Sequence, residues 1–381
     1  LLHGANGAAA AIPGFLRFVA PCGAGESARR SVVQRKRLCM LRRSFALATW
    51  FILMVLSSPA SADSASSSIL DRSDITVAPL IVVGDPAGTP PDSPAAHVDA
   101  NVAASLYTGV GAVQANVSGG YYLGSGVLIS PRHVLSAAHV VDIDNNGTAD
   151  IAASDVSFHI NNAATPTVIG AVSVTVHPDY TGFDNPSVND DLVVITLAQD
   201  VPAGVAIYPL LTTPVTAGTQ LTFVGYGRSG NGVSGYTTAA SLTVKRVGTN
   251  LADEFDEDDD QAAGNGVNEV WMADFDGPTD ATNLMGGLTL GNAVETTLGS
   301  GDSGGPSLVS LDGQLYVAGI NTFSFREDDG PSSPRFGSGM GGILVESYVP
   351  WIQASIPEPA SMALLGAGLA ALALRRRTSR N

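Results

Sequence analysis

Short apolar runs rich in β-branched residues recur along most of this chain, each closed off by Gly, Asn, Asp or Pro. Gly109–Val117, Tyr121–Ile129, Val168–Val176, Leu192–Leu197, Gln220–Gly225, Ser241–Val247, Tyr316–Asn321 and Gly342–Glu346 all follow this pattern. Runs of that length cannot sustain amphipathic helices, and their spacing predicts an all-β sandwich or barrel. A helical period is expected only near Ser347–Ser355. Charged residues make up 14% of the 381 residues and there are 43 glycines, which suits a loop-rich β protein better than a helical one.

Charge is distributed unevenly. The chain carries 19 Lys and Arg against 35 Asp and Glu; most of the bases lie in residues 1–62 and 357–381, and residues 63–356 keep 7 bases against 33 acids. A surface this acidic disfavours nucleic acid and anionic lipid as partners and favours divalent cations, so no nucleic-acid partner is expected. Both cysteines, Cys22 and Cys39, precede the first methionine, Met40. Stability of the segment beyond them is therefore expected from the core, and from bound metal if any, rather than from disulfides.

Residues 1–39 show no periodicity and read as upstream sequence rather than structure. From Met40, a basic pair (Arg42, Arg43), an apolar run (Phe45–Leu56) and Ala60-Ser61-Ala62 form a secretory signal peptide over 40–62, to be removed by signal peptidase. Residues 63–104 are rich in Ser, Pro, Ala and Asp and read as propeptide or linker.

Three segments carry chemistry. Gly301-Asp302-Ser303-Gly304-Gly305-Pro306 places a serine on a glycine-lined turn, where backbone N–H groups can be aimed at developing negative charge. Leu135-Ser136-Ala137-Ala138-His139 offers a histidine after an apolar strand. Asp190-Asp191 opens the run Leu192–Leu197, and the two carboxylates are expected to face opposite ways, Asp191 being the expected partner of His139 and Asp190 the alternative. Serine needs a neighbouring base to act as a nucleophile, and a base needs an orienting acid.

With the Val224-Gly225-Tyr226-Gly227 turn and the closing Tyr348-Val349-Pro350-Trp351-Ile352 segment, the order His139, Asp191, Ser303 resembles the trypsin-like (chymotrypsin-fold) serine proteases over residues 105–355. The resemblance implies two six-stranded antiparallel β-barrels, about 105–200 and 205–346, with the active site in the cleft between them and a short C-terminal helix. It implies peptide-bond hydrolysis through an acyl-enzyme, an oxyanion hole from the N–H groups of Gly301 and Ser303, and a specificity pocket from Thr297, Thr322, Phe323 and Ser324. Thr297 stands where the family places its pocket-floor residue, so a preference for Arg or Lys is not expected. Small or apolar side chains are. Ile81-Val82-Val83-Gly84 resembles the new N-terminus of activated family members, which would pair Ile81 with Asp302; the alternative is a plain strand with Asp302 held by other donors. Two other readings stand beside the protease: a catalytically silent or zymogen-locked binding protein of the cell surface or matrix, and a serine esterase, which the chain order of the three residues disfavours.

Pro357-Glu358-Pro359, the apolar stretch Ala360–Leu374 and Arg375-Arg376-Arg377 resemble the PEP-CTERM sorting tail over 356–381. That resemblance implies an exosortase-like sorting enzyme as partner, transient contact with the inner membrane, and delivery to the periplasm, outer surface or matrix of a Gram-negative bacterium. The triad chemistry needs no cofactor. Asp142, Asp144, Asn146, Thr148 and Asp150, with a glycine at 147, have the alternation of a structural calcium loop but lack its closing glutamate; an Asx-rich turn is the competing reading. The acid run Asp253–Asp260 reads as a solvated loop, with cation binding as the alternative.

Overall fold

The computed structural model describes residues 81–184, 187–261, 266–326 and 333–356. The signal peptide, the stretch before it and nearly all of the sorting tail lie outside the described residues. No described helix is long and apolar enough to cross a membrane.

The strands are β1 (Ile81–Val83), β2 (Val98–Asp99), β3 (Val110–Val117), β4 (Gly120–Ser130), β5 (His133–Ser136), β6 (Val156–Ile160), β7 (Thr167–Val176) and β8 (Val193–Leu197) in the first half. The second half holds β9 (Gln220–Gly225), β10 (Ser229–Asn231), β11 (Gly235–Thr238), β12 (Lys245–Leu251), β13 (Glu254–Glu257), β14 (Asn268–Asp274), β15 (Pro306–Leu311), β16 (Gln314–Arg326) and β17 (Ser338–Leu344). One helix, α1 (Val345–Ala354), follows β17 directly and buries Val345, Tyr348 and Ile352, the spacing of one helical face.

The first half is a closed antiparallel barrel in the order β3-β4-β5-β8-β7-β6. Its β3–β4 hairpin turns on Ser118-Gly119, where Gly119 has φ +92, a conformation the tight turn needs and glycine adopts without strain. Most strands of the second half join β2 in one sheet ordered β13-β14-β17-β16-β15-β9-β12-β2, while β10 and β11 form a three-stranded sheet with β1. Only Ala252 and Asp253 join β12, near one side of this order, to β13 at the other. Three peptide steps reach about 10 Å at most, so the sheet must curl until its sides meet. Ala252 N–H donates to Thr219 O (2.9 Å) and Asp253 N–H to Met272 O (2.8 Å), tying the two sides together. The second barrel-like unit therefore has more strands than the six expected.

Its core gathers Ile81, Leu221, Phe223, Trp271, Leu298, Met340 and Leu344. Phe223 and Trp271 stack at 5.4 Å. Each such side chain contributes roughly 1.5–3 kcal/mol by leaving water.

Residues 81–99, within the stretch that composition reads as propeptide or linker, are built into this unit. β1 is fully buried and pairs in parallel with β10, and β2 pairs with β12. Glu254–Glu257, within the acid run, is strand β13, held by register with β14 that sets Phe255 opposite Trp271. The expected strand at Ser241–Val247 lies further along, at Lys245–Leu251, because Lys245 is buried and paired with Asp99 at 3.0 Å.

The halves are fastened at named points. Tyr226 donates its hydroxyl to Val110 O (3.2 Å) and accepts from Asn161 Nδ2 (3.2 Å). The helix reaches back to the first barrel: Tyr348 Oη accepts the Asp190 N–H (3.2 Å), and the His177 ring packs against Tyr348 and Trp351.

Candidate active site

β5 ends at Ser136 and runs into the short turn that carries His139. His139 Nδ1 lies 2.6 Å from Asp191 Oδ2, and its backbone N–H donates to Asp191 Oδ1 (2.9 Å). The pair is asymmetric: the Asp191 side chain is fully buried, while the imidazole keeps 21% of its surface open. Burial opposes a charged imidazole, but the Asp191 carboxylate, its hydrogen bond and the field of Asp142 outweigh it, and His139 is raised above its ordinary value. A ring so held has one nitrogen committed to the carboxylate and the other available for proton transfer.

Asp190 does not share this site. It has φ +62, a left-handed conformation, and its carboxylate faces His177 Nδ1 at 3.2 Å. His177, with no chemical context in sequence, is thus a packing residue between the barrel and α1.

Ser303 lies on the loop between Leu298 and β15. That loop is pressed against the His139 segment. A side chain at Gly304 would strike Ser136 Oγ and Ser125 O, and one at Gly124 would meet both Val140 and Ser303 O. Gly304 therefore has to be glycine for this approach, and its φ of +83 adds to the requirement. Ser125, on β4, works as a clamp that sequence reading missed. Its N–H donates to Ser303 O (2.7 Å), its hydroxyl to Gly301 O (3.0 Å), and the same oxygen accepts the Tyr226 N–H (2.9 Å). The backbone N–H groups of Gly301 and Ser303 have no acceptor among the described residues. Nor, among the described residues, does Ser303 Oγ hydrogen-bond His139; such contacts in ligand-free sites often tighten only around substrate.

Asp302 is fully buried. Its carboxylate accepts from Gly227 N–H and Gly299 N–H, both at 2.8 Å. Burial drives its pKa up to about 6, against the lowering effect of those donors and of the Arg246 guanidinium. A side chain at Gly225 or Gly227 would collide with the Asp302 segment, which explains the glycines of the Val224–Gly227 turn. Ile81 has φ +68, and its carbonyl accepts from Ser229 Oγ. Arg246 is wholly buried, and its Nη atoms have no partner among the described residues.

Of the expected pocket residues, Thr297 is fully buried and bridged to Val82 through both backbone groups (3.2 and 3.0 Å). Thr322 is buried, Phe323 half-buried and Ser324 exposed. The Thr297 and Thr322 hydroxyls have no partner among the described residues. The Phe323 ring lies over Gly341, and that of Phe325 over Gly339, where any side chain would collide with them.

The loop after His139 brings carboxylate oxygens of Asp142, Asp144 and Asp150 within 4.8 Å of one another. Several of its acceptors serve the loop's own backbone: Asp142 takes the N–H groups of Asn146 and Gly147, Asp150 those of Ile143 and Asp144, and Asn146 Oδ1 both donors of Thr148. Asn145 extends the loop to Phe183, accepting its N–H and donating to its carbonyl, and the Phe183 ring sits 4.9 Å from that of His139. Phe183 is a second contact that nothing in its sequence context marks.

Comparison with known proteins places this geometry. Residues 104–269 match the family described as Trypsin, which takes in His139 and Asp191 and ends before Ser303. Residues 355–377 match the PEP-CTERM protein-sorting motif. The chain is similar to an inactive CLIP domain-containing serine protease A3 of Aedes aegypti, 26% identical over 250 residues, 62% of this chain and 47% of the relative. It is also similar to brachyurin of Leptuca pugilator, 33% identical over 108 residues, 28% of this chain and 45% of that protein. The chain thus matches about half the length of these curated relatives. With its His139–Asp191 pair at the mouth of a six-stranded barrel, the chain contains a segment, residues 104–269, that matches the trypsin-like serine proteases, and it carries a PEP-CTERM protein-sorting motif at 355–377.

Proposed function

We propose that the domain is an exported serine endopeptidase. Ser303 Oγ attacks the scissile carbonyl while His139 Nε2 takes its proton, and Asp191 fixes the tautomer and stabilises the imidazolium. The N–H groups of Gly301 and Ser303 receive the oxyanion. His139 then protonates the leaving amine, and water repeats the sequence to release the acyl group. The observation that carries this reading is the 2.6 Å bond between His139 Nδ1 and the fully buried Asp191, beside a serine loop clamped by Ser125. The substrates are peptides. A neutral Thr297 and an aromatic ring across Gly341 support small or apolar side chains before the cleaved bond. The sorting motif supports export and processing by an exosortase-like enzyme.

A catalytically silent fold is the second reading, because one relative is described as inactive. Labelling the purified protein with a fluorophosphonate, beside Ser303→Ala, separates the two. Labelling of the wild type alone supports the protease; absence of labelling, and of peptide hydrolysis, in the correctly folded protein favours the silent fold. Calcium in the Asp142–Asp150 loop is a further element of this proposal, acting through Asn145 and Phe183 on His139.

A further inference from the structure

Away from the triad, residues 276–292 fold back over the segment that follows β1 and line a half-open cavity of about 380 Å³. Asp85, Asp276, Asp280, Asn283, Thr289 and Asn292 contribute to its wall, and no basic side chain does so among the described residues. Two acceptor oxygens in that wall are buried without a donor: Asp276 Oδ1 and Asn283 Oδ1. Asp276 is only 9% exposed, and its carboxylate has no hydrogen-bond or ion-pair partner among the described residues.

The surrounding charge makes this arrangement costly. Asp274 and Glu295 both act on Asp276, and both are negative. Asp253 lies beside Asp274 and feels Asp276 and Glu295 as well. Glu295 is satisfied: its oxygens accept from Asp276 N–H (2.6 Å), Leu290 N–H (2.8 Å) and Thr289 Oγ1 (2.7 Å). Asp276 is left as the carboxylate with nothing to neutralise it. Burial, with Asp274 and Glu295 adding to it, pushes its pKa up to about 7. A buried carboxylate in that position either keeps a proton or holds a cation. The unpaired amide oxygen of Asn283 in the same wall is a ligand for the second but not needed for the first.

We propose that this cavity is a calcium site in which Asp276 and Asn283 supply ligands. The donors are all oxygen, with neither imidazole nor thiolate among the cavity's described lining residues, which selects a hard cation over zinc. An irregular, roomy cavity suits calcium's flexible shell better than magnesium's compact octahedron. The site joins two segments that need fastening. Asn292 already ties them, donating to Asp85 O (3.0 Å) and Pro90 O (2.7 Å). Beyond Asn292 the chain passes through Thr297, at the expected pocket floor, to Ser303. A cation here holds the approach to the nucleophile loop against the segment after β1.

The test uses the purified full chain stripped with chelator. Calcium binding is followed by calorimetry and by melting for the wild type, Asp276→Asn, Asn283→Ala and Asp142→Asn. Millimolar calcium is expected to raise the wild-type melting temperature by on the order of 5 °C. Both Asp276→Asn and Asn283→Ala should weaken that binding event at least about tenfold, whereas Asp142→Asn should leave it in place. In chelator, Asp276→Asn should melt above the wild type, since it removes a buried charge repelled by its neighbours. Asn283→Ala keeps every charge and so tests the site without that change. A wild type indifferent to calcium overturns the proposal. So does a calcium response in both cavity variants equal to that of the wild type, or one lost entirely in Asp142→Asn. Equal affinity for magnesium overturns the choice of ion.

Discussion

Asp190 and Asp191 are neighbours in the chain but serve different histidines: Asp191 lies 2.6 Å from His139 Nδ1, and Asp190 lies 3.2 Å from His177 Nδ1. The left-handed backbone at Asp190 produces this division. One carboxylate is turned toward the cleft and the other toward the packing of α1 on the first barrel. The two substitutions should therefore separate chemistry from stability. On the proposed mechanism, Asp191→Asn should lower kcat by about 10⁴-fold, through loss of the correct imidazole tautomer, with a melting temperature close to wild type. Asp190→Asn should keep kcat within about tenfold and instead cost about 1–3 kcal/mol of stability, by removing the carboxylate charge that faces His177 beside α1. Hydrolysis of a chromogenic peptide and urea unfolding measure the two effects. Equal loss of kcat in both variants would show that the division of labour is not real.

What could be read from the chain was local. The runs around His139, Asp191 and Ser303 each declare their strand or turn through a few adjacent residues, and the order of the motifs connects them. The preference for Asp191 over Asp190 came from its place directly before the apolar run, as in the family it resembles; strand alternation says only that the two face opposite ways. What could not be read was long-range. Lys245 and Arg246 look like solvent-facing charge, yet both are fully buried, Lys245 because Asp99 and the Tyr107 carbonyl receive it. β1 and β2 sit in a stretch whose composition resembles a linker, and they are strands only because β10 and β12 offer edges to pair with. Glu254–Glu257 has poor strand propensity, which the register with β14 overrides. Phe183 reaches His139 through a loop whose position depends on Asn145.

The pocket leads to a second expectation. The Phe323 ring covers Gly341, and on the proposed specificity it takes up volume that a large substrate side chain would otherwise use. Phe323→Ala should shift preference toward larger apolar residues before the cleaved bond, raising kcat/KM for these by about tenfold or more relative to alanine. Peptide-library profiling of both proteins reads this directly. An unchanged profile would remove Phe323 from the pocket wall.

Stability should depend on pH in an unusual direction. Asp253, Glu269 and Asp276 are raised to about 7 and Asp302 to about 6, chiefly by burial, from ordinary values of 3.8 for Asp and 4.5 for Glu. Between those values the folded chain holds protons that the unfolded chain has released, so stability falls as pH rises through the window. His139, raised by Asp191 despite its burial, adds to the same trend, since its contribution is present at lower pH and lost as pH rises through its folded pKa. In chelator the melting temperature should therefore be higher near pH 5 than at pH 8, and calcium should flatten the difference. A melting temperature that climbs from pH 5 to pH 8 in chelator would contradict the burial of these carboxylates.

Ser125 connects three elements, so its loss should reach the nucleophile without touching it. The hydroxyl donates to Gly301 O and accepts the Tyr226 N–H, while the backbone N–H holds Ser303 O. Ser125→Ala removes the first two bonds and keeps the third. Leaving the buried Tyr226 N–H without an acceptor should cost about 1–3 kcal/mol. The freed Gly301 carbonyl loosens the peptide that lies between the two oxyanion donors, so fluorophosphonate labelling should slow by at least about tenfold even at temperatures where the variant is fully folded. Because Ser303 stays anchored through its carbonyl, labelling should be slowed rather than abolished, which distinguishes the clamp from Ser303→Ala. A variant that is destabilised but labels at the wild-type rate would show that Ser125 only joins the two barrels and does not hold the oxyanion peptide.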